Sequence, residues 1–237
     1  MLALVKQGLL PMGVLEARQE LKKRHQSKSK KKTKGTSDHC ESQDLLNLAE
    51  ELFSSSRHTD KTLGLVIYTG VVTGLRINDI LDMRSENLVP YEDGVHIKLI
   101  QQKGKVPFNK LVSKRLDDML GEYISLNLIT DEGDNHLFLN KNTGKKFSTH
   151  WVNKRFGILK TELDWLIDKT FSTHSLRKTY AMTIYKYYGN DIVKARDALG
   201  HKSITTTQKY LNLDKKEKAL IHTNVVNDIF NSNYSSH

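Results

Sequence analysis

The sequence predicts a mainly α protein with a small antiparallel β-sheet, an α+β fold. Three observations lead there. Apolar residues recur at helical spacing once the chain passes residue 45, beginning with Leu45, Leu48, Ala49 and Leu52. One segment, residues 95–100, alternates weakly, is β-prone, and runs into a turn at Lys103, Gly104 and Lys105. Helical patterns then occupy most of the chain as far as residue 226, and no internal repeat is present.

In chain order, residues 15–26 can form a helix on the spacing of Leu15, Arg18 and Lys22. The stretch SKSKKKTKGTS that follows is lysine-rich, low in complexity and without apolar residues to bury, so it reads as a disordered or extended linker. A domain boundary is expected near residue 40, dividing a basic segment, 1–40, from a folded domain, 41–237. Inside the domain a second apolar helix covers 61–72, with Asp60 as its N-cap. A third begins near Leu75 and carries Ile77, Ile80 and Leu81.

After the strand at 95–100 come Lys103, Gly104 and Lys105 and then Val106, Pro107 and Phe108, which read as a short hairpin or turn. A helix over 112–126, a short strand at 137–139 and the turn NKNTGKKFS follow. Helices are predicted over 149–163, 175–188, 191–199, 204–211 and 215–226. Gly200 breaks the last run and Ser203 is placed to cap the helix that restarts.

Composition narrows the function. Hydrophobic residues make up 38% and charged residues 27% of the chain, a balance that can bury a core in water. No apolar run approaches the ~18 residues of a membrane span, and Lys6 interrupts the apolar start, which does not read as a signal peptide. A single cysteine, Cys40, allows no internal disulfide and fits a reducing, cytoplasmic compartment. His39 beside it is not accompanied by metal-ligand spacing. Net charge is +10, and residues 1–40 hold ten Lys/Arg against three Asp/Glu. That excess points to a polyanionic partner, most often nucleic acid, with a solvated lysine tail as the competing reading.

Three stretches carry candidate chemistry: TGLRINDIL (73–81), THSLRKTYA (173–181) and LGHKSITTTQKYL (199–211). His174 and Arg177 lie three apart on one helical face, at a helix start that favours anions. Taken together, Arg76 with an acid three residues on, then His-x-Leu-Arg, then Leu-Gly-His, then Tyr210 nine residues after that histidine, resemble the tyrosine recombinase (phage integrase) family. The resemblance covers most of the chain after residue 45. It implies that family's catalytic-domain fold and its activity, cutting and rejoining DNA through a covalent phosphotyrosyl intermediate.

The resemblance also assigns roles. Arg76 and Arg177 would clamp the scissile phosphate, which suits planar, permanently charged guanidiniums. Tyr210 would be the nucleophile, His174 the base and His201 a hydrogen-bond donor to the phosphate. A hairpin lysine would protonate the leaving 5′-oxygen. Lys103 is the choice, with Lys105 its competitor. Asp79 is expected to hold Arg76 one turn away. No P-loop and no acidic metal cluster appears, so no cofactor or metal is expected.

Family members usually carry a separate DNA-binding domain ahead of the catalytic one. Here about 40 residues precede it, so the basic segment either substitutes as a phosphate-binding arm or the chain relies on a partner. Oligomers on DNA, dimer to tetramer, are expected, with the C-terminal segment packing on a neighbouring copy or on its own domain. The competing functions are a non-catalytic DNA binder on the same fold and a nicking relaxase or type IB topoisomerase-like enzyme.

Overall fold

A computed structural model describes residues 37–127 and 135–213. The helices expected at 15–26 and 215–226 and nearly all of the lysine-rich linker lie outside those residues. Among the described residues the fold is mainly helical with one three-stranded antiparallel sheet, as the sequence predicts.

Helices α1 (Ser42–Phe53) and α2 (His58–Thr73) form an antiparallel pair at the centre. Gly64 permits their close approach: a Cβ there would sit 2.5 Å from the Ala49 carbonyl oxygen. Helix α2 is buried along nearly its whole length, from Thr62 to Thr73, because α1, α4 and α6 all pack on it. It begins at His58, not at residue 61. Asp60 therefore lies inside the first turn and does not cap the helix; its carboxylate accepts from Ser55 and from Arg155 at 2.6 Å.

At its far end α2 stops on Gly74, which is left-handed at φ 69°. The short helix α3 (Ile77–Leu81) then starts in a new direction, and Leu75 lies in the extended link between the two. A Cβ on Gly74 would stand 2.2 Å from Cδ1 of Tyr180. Gly74→Ala is therefore expected to cost about 2–4 kcal/mol, backbone strain plus displacement of a packed ring. A fall in the urea midpoint measures it; an unchanged midpoint would contradict this packing.

The sheet holds β1 (Leu88–Tyr91), β2 (Gly94–Ile100) and β3 (Pro107–Leu111) in that order, with Leu88 opposite Ile97 and Ile97 opposite Lys110. It differs from expectation at one edge: β1 has no counterpart in the sequence reading, since Pro90 masks its pattern, whereas Pro107 and Phe108 lie in β3, the second strand of the expected hairpin. Residues 137–139 form no strand; they contribute only a single bridge, Leu139 with Lys146, beside that of Arg84 with His136.

Helix α4 (Lys114–Asn127) covers α2 with Leu116, Met119, Leu120 and Tyr123, whose hydroxyl shares a 2.7 Å hydrogen bond with Thr62. Helices α5 (Thr149–Glu162) and α6 (Thr173–Tyr187) complete the main core. The chain enters beside α6: Asp38 pairs with the Thr170 backbone in both directions, and Lys178 donates to the Ser37 carbonyl at 2.7 Å.

Helices α7 (Ile192–Leu199) and α8 (Ile204–Leu211) pack on α6 around a second, much smaller core of Ala181, Met182, Ala195, Leu199 and Leu211. With so little buried apolar surface, α8 opens at less cost than the helices of the main core.

Candidate active site

Arg76 occupies the N-cap position of α3 with extended backbone, so its side chain leaves the helix rather than lying along it. That is why Asp79, three residues on, does not hold it. Arg76 donates instead to Gln101 Oε1 at 2.7 Å, at the end of β2. Asp79 turns inward, is 3% exposed, and accepts from the Gln102 backbone N–H at 2.8 Å, which anchors the β2–β3 turn. The expectation that Asp79 holds Arg76 is thus corrected.

Arg177 lies in the first turns of α6. Ser172 and Ser175 close a capping box at that N-terminus. The guanidinium is 6% exposed and donates to two main-chain carbonyls, Gly74 and Leu199. One side chain thereby ties the TGLR turn, the His-x-Leu-Arg helix and the Leu-Gly-His turn together. Its pKa is pushed down to about 10 by burial and then by Arg76, so it keeps its proton at neutral pH.

Among the described residues, neither arginine is paired with a carboxylate. An amide oxygen and backbone carbonyls hold both in place without cancelling their charge, leaving it for an incoming anion. A cavity of 280 Å³ opens beside them, lined by Arg76, Asp79, Lys103, Thr149, His174 and Arg177 among others. Lys103 projects from the β2–β3 turn into this lining. Lys105, at φ 52°, is not part of it.

Gly200 ends α7 in the left-handed conformation at φ 65°. His201 follows at once, half-buried, with Nδ1 3.1 Å from Thr207 Oγ1. Ser203 takes the N-cap position of α8 by its backbone, but its side chain makes no capping bond. Tyr210, in the last turn of α8, meets the His201 ring edge-on at 5.5 Å between centroids. Its hydroxyl donates to the His174 carbonyl at a long 3.5 Å. Burial pushes the phenol up to about 12, against the pull of Arg177 and Arg76.

Both histidines are held below their ordinary range. His201 falls to about 4, first from burial, then from Arg177, Arg76 and Lys103. His174 is lowered by partial desolvation, then by Arg177, Lys103 and Arg76. Near neutral pH both are uncharged. An unfolded histidine titrates near 6.5, so between about 6.5 and 4 the unfolded chain binds more protons than the folded one. Stability from these groups is complete above 6.5 and is lost as pH falls through that window. The melting temperature of the protein should therefore drop from pH 7 to pH 4, and less steeply for His201→Gln. Identical slopes would contradict this.

Arg76, Lys103, His174 and Arg177 thus line one cavity, while His201 and Tyr210 lie outside that lining, packed on each other, with the Tyr210 hydroxyl reaching the His174 backbone. Sequence reasoning missed Gln101 and Thr207. Gln101 was findable: it continues the inward parity of Ile97 and Leu99 along β2, where a buried polar residue needs a partner.

Residues 37–217 match the phage integrase family. The chain belongs to that family. Among curated relatives, tyrosine recombinase XerC of Leptospira interrogans is 26% identical over 178 residues, 75% of this chain and 54% of that protein. Tyrosine recombinase XerH of Campylobacter jejuni is 28% identical over 163 residues, 66% of this chain and 42% of the relative. The chain therefore spans about half the length of the integrase-family relatives it matches.

Two solved structures share the fold. XerH recombinase bound to a palindromic difH substrate, in a post-cleavage complex, aligns with a TM-score of 0.64 at 18% identity, over 81% of this chain and 55% of that one. A lambda integrase dimer bound to a COC′ core site aligns at 0.54 and 20% identity, over 76% of this chain and 61% of that one. Among the described residues, no helix is long and apolar enough to cross a membrane, and no cluster of His, Cys, Asp or Glu could hold a metal ion.

Proposed function

We propose that the protein is a site-specific DNA recombinase acting through a 3′-phosphotyrosyl intermediate, in integration, excision or resolution of a mobile element, plasmid or phage. The observation that carries this reading is the convergence of two guanidiniums, neither in an ion pair among the described residues, and the His174 imidazole on one cavity, with the Tyr210 hydroxyl at the His174 backbone and the His201 ring against the phenol.

The chemistry follows from the groups. A backbone phosphate enters the cavity and its nonbridging oxygens meet Arg76, Arg177 and the His201 N–H. Tyr210 Oη attacks phosphorus in line while neutral His174 accepts the phenolic proton, which burial makes hard to release otherwise. The phosphorus–5′-oxygen bond breaks, and Lys103 protonates the departing oxygen. One phosphoester replaces another, so the 5′-hydroxyl of a second strand can attack the phosphotyrosine, re-form the diester and release the phenol. No nucleotide need be hydrolysed.

The partner is double-stranded DNA, with the chain acting as a homo-oligomer of two to four copies, because exchange of strands needs more than one active site. Residues 1–40 serve as a basic arm and 41–237 as the catalytic domain. The arm is best removed at residue 36, since Ser37, Asp38 and Cys40 bond to the domain. All ten Lys/Arg of the arm go with that deletion. The dependence of log affinity on log salt should become shallower for the shortened chain; an unchanged slope contradicts the arm.

Capture of covalent protein–DNA complexes from cells, followed by sequencing of the attached DNA, tests the function. Recurrent sites bearing protein at a 3′-phosphate are expected. Enrichment of DNA without a covalent link would make the protein a binder and overturn the reading.

A further inference from the structure

Thr207 is fully buried, at 0% exposure, in the middle of α8. Its hydroxyl carries a hydrogen that must reach an acceptor or cost about 1–3 kcal/mol. The partner the structure provides is Nδ1 of His201, at 3.1 Å. A neutral imidazole has one donor and one acceptor nitrogen, and its hydrogen-bond partners decide which is which. Were Nδ1 protonated, the hydroxyl oxygen could accept from it, but the hydroxyl's own hydrogen would turn away from the one partner the structure provides among the described residues. With Nδ1 bare, the hydroxyl donates to it and both atoms of the pair are satisfied.

We infer that Thr207 is a positioning residue: its hydroxyl donates to His201 Nδ1 and so places the imidazole proton on Nε2, the nitrogen available to the substrate phosphate. The use of that proton rests on the recombinase reading; the tautomer itself does not. His201 is held neutral at physiological pH, so a tautomer rather than a second proton must supply the donor. Thr207 and Tyr210 stand three residues apart on the same helix. The element that delivers the phenol therefore also sets the proton of the donor, and displacing α8 withdraws both.

The test uses the full chain labelled with ¹⁵N-histidine, free of DNA, in long-range ¹H–¹⁵N spectra. His201 is assigned by the signals that vanish in His201→Gln. Wild type is expected to show a bare Nδ1 and a protonated Nε2. Thr207→Val, which keeps the shape and loses the hydroxyl, should shift His201 toward the Nδ1–H form, and Thr207→Ser should restore the wild-type pattern. On a nicked duplex, Thr207→Val should form covalent product about 10–10² times more slowly at unchanged DNA affinity, within the cost of a lost oxyanion donor, with Thr207→Ser close to wild type. An Nδ1–H tautomer in the wild type, or a tautomer indifferent to Thr207→Val, would overturn the inference. Failure of every variant, wild type included, to form covalent product would strike the recombinase reading alone, because the tautomer is read without DNA.

Discussion

Tyr210→Phe yields no covalent DNA product on a nicked suicide duplex carrying a captured site, while binding the duplex as tightly as wild type. Nine tyrosines occur in the chain, so the expectation is specific. Tyr180 is tied down by Lys110 at 2.7 Å and packs against Gly74. Tyr187 is 79% exposed and stacks edge-on with Tyr188. Tyr210 alone among the motif residues brings a phenol against His201 and the His174 backbone. Phenylalanine keeps the ring contact and removes only the nucleophilic oxygen. The loss should therefore be total in the covalent step, below detection, with the fold intact. Wild-type amounts of adduct from Tyr210→Phe would assign the nucleophile elsewhere.

The second large effect belongs to Arg177. Alanine there removes a guanidinium from the cavity and strands two buried carbonyls, Gly74 and Leu199. Hydrogen bonds to a charged group contribute about 1.5–3 kcal/mol each, so the unfolding free energy should fall by roughly 3–6 kcal/mol. Loss of a preorganised phosphate donor adds about 10²–10³ in cleavage rate, and slackening of the three motifs pushes the deficit beyond that. Arg177→Lys separates the two roles: it keeps the charge but cannot fork to both carbonyls. It should recover part of the stability and little of the rate. Urea unfolding and single-turnover cleavage measure the pair. Near-wild-type cleavage by Arg177→Lys would show that the fork does not matter.

Much of this was legible because the chemistry-bearing residues sit in short contexts that also shape the backbone. Gly74 and Gly200 both end helices in left-handed turns; the first is followed by Arg76, which lines the cavity, and the second by His201, which packs on Tyr210. Helix existence followed from apolar periodicity. What stayed hidden depends on distant partners. The role expected for Asp79 failed because Arg76 is not helical, so i,i+3 spacing on a helix did not apply. Asp60 looked like a cap because its salt bridge to Arg155 lies 95 residues away in sequence. β1 escaped notice because Pro90 sits on an edge strand, where a missing N–H costs nothing. Thr207 reads as one of three threonines in a row until the fold buries it against His201.

The central claim is that side chains far apart in sequence act on a single phosphate. A crystal structure of Tyr210→Phe bound to its captured DNA site measures that directly. One phosphate should lie within hydrogen-bond distance of Arg76, Arg177 and His201 Nε2, with the substituted ring facing it and Lys103 beside the 5′-oxygen. Two arginines on different phosphates, or an aromatic ring turned away from the one they share, would contradict the account.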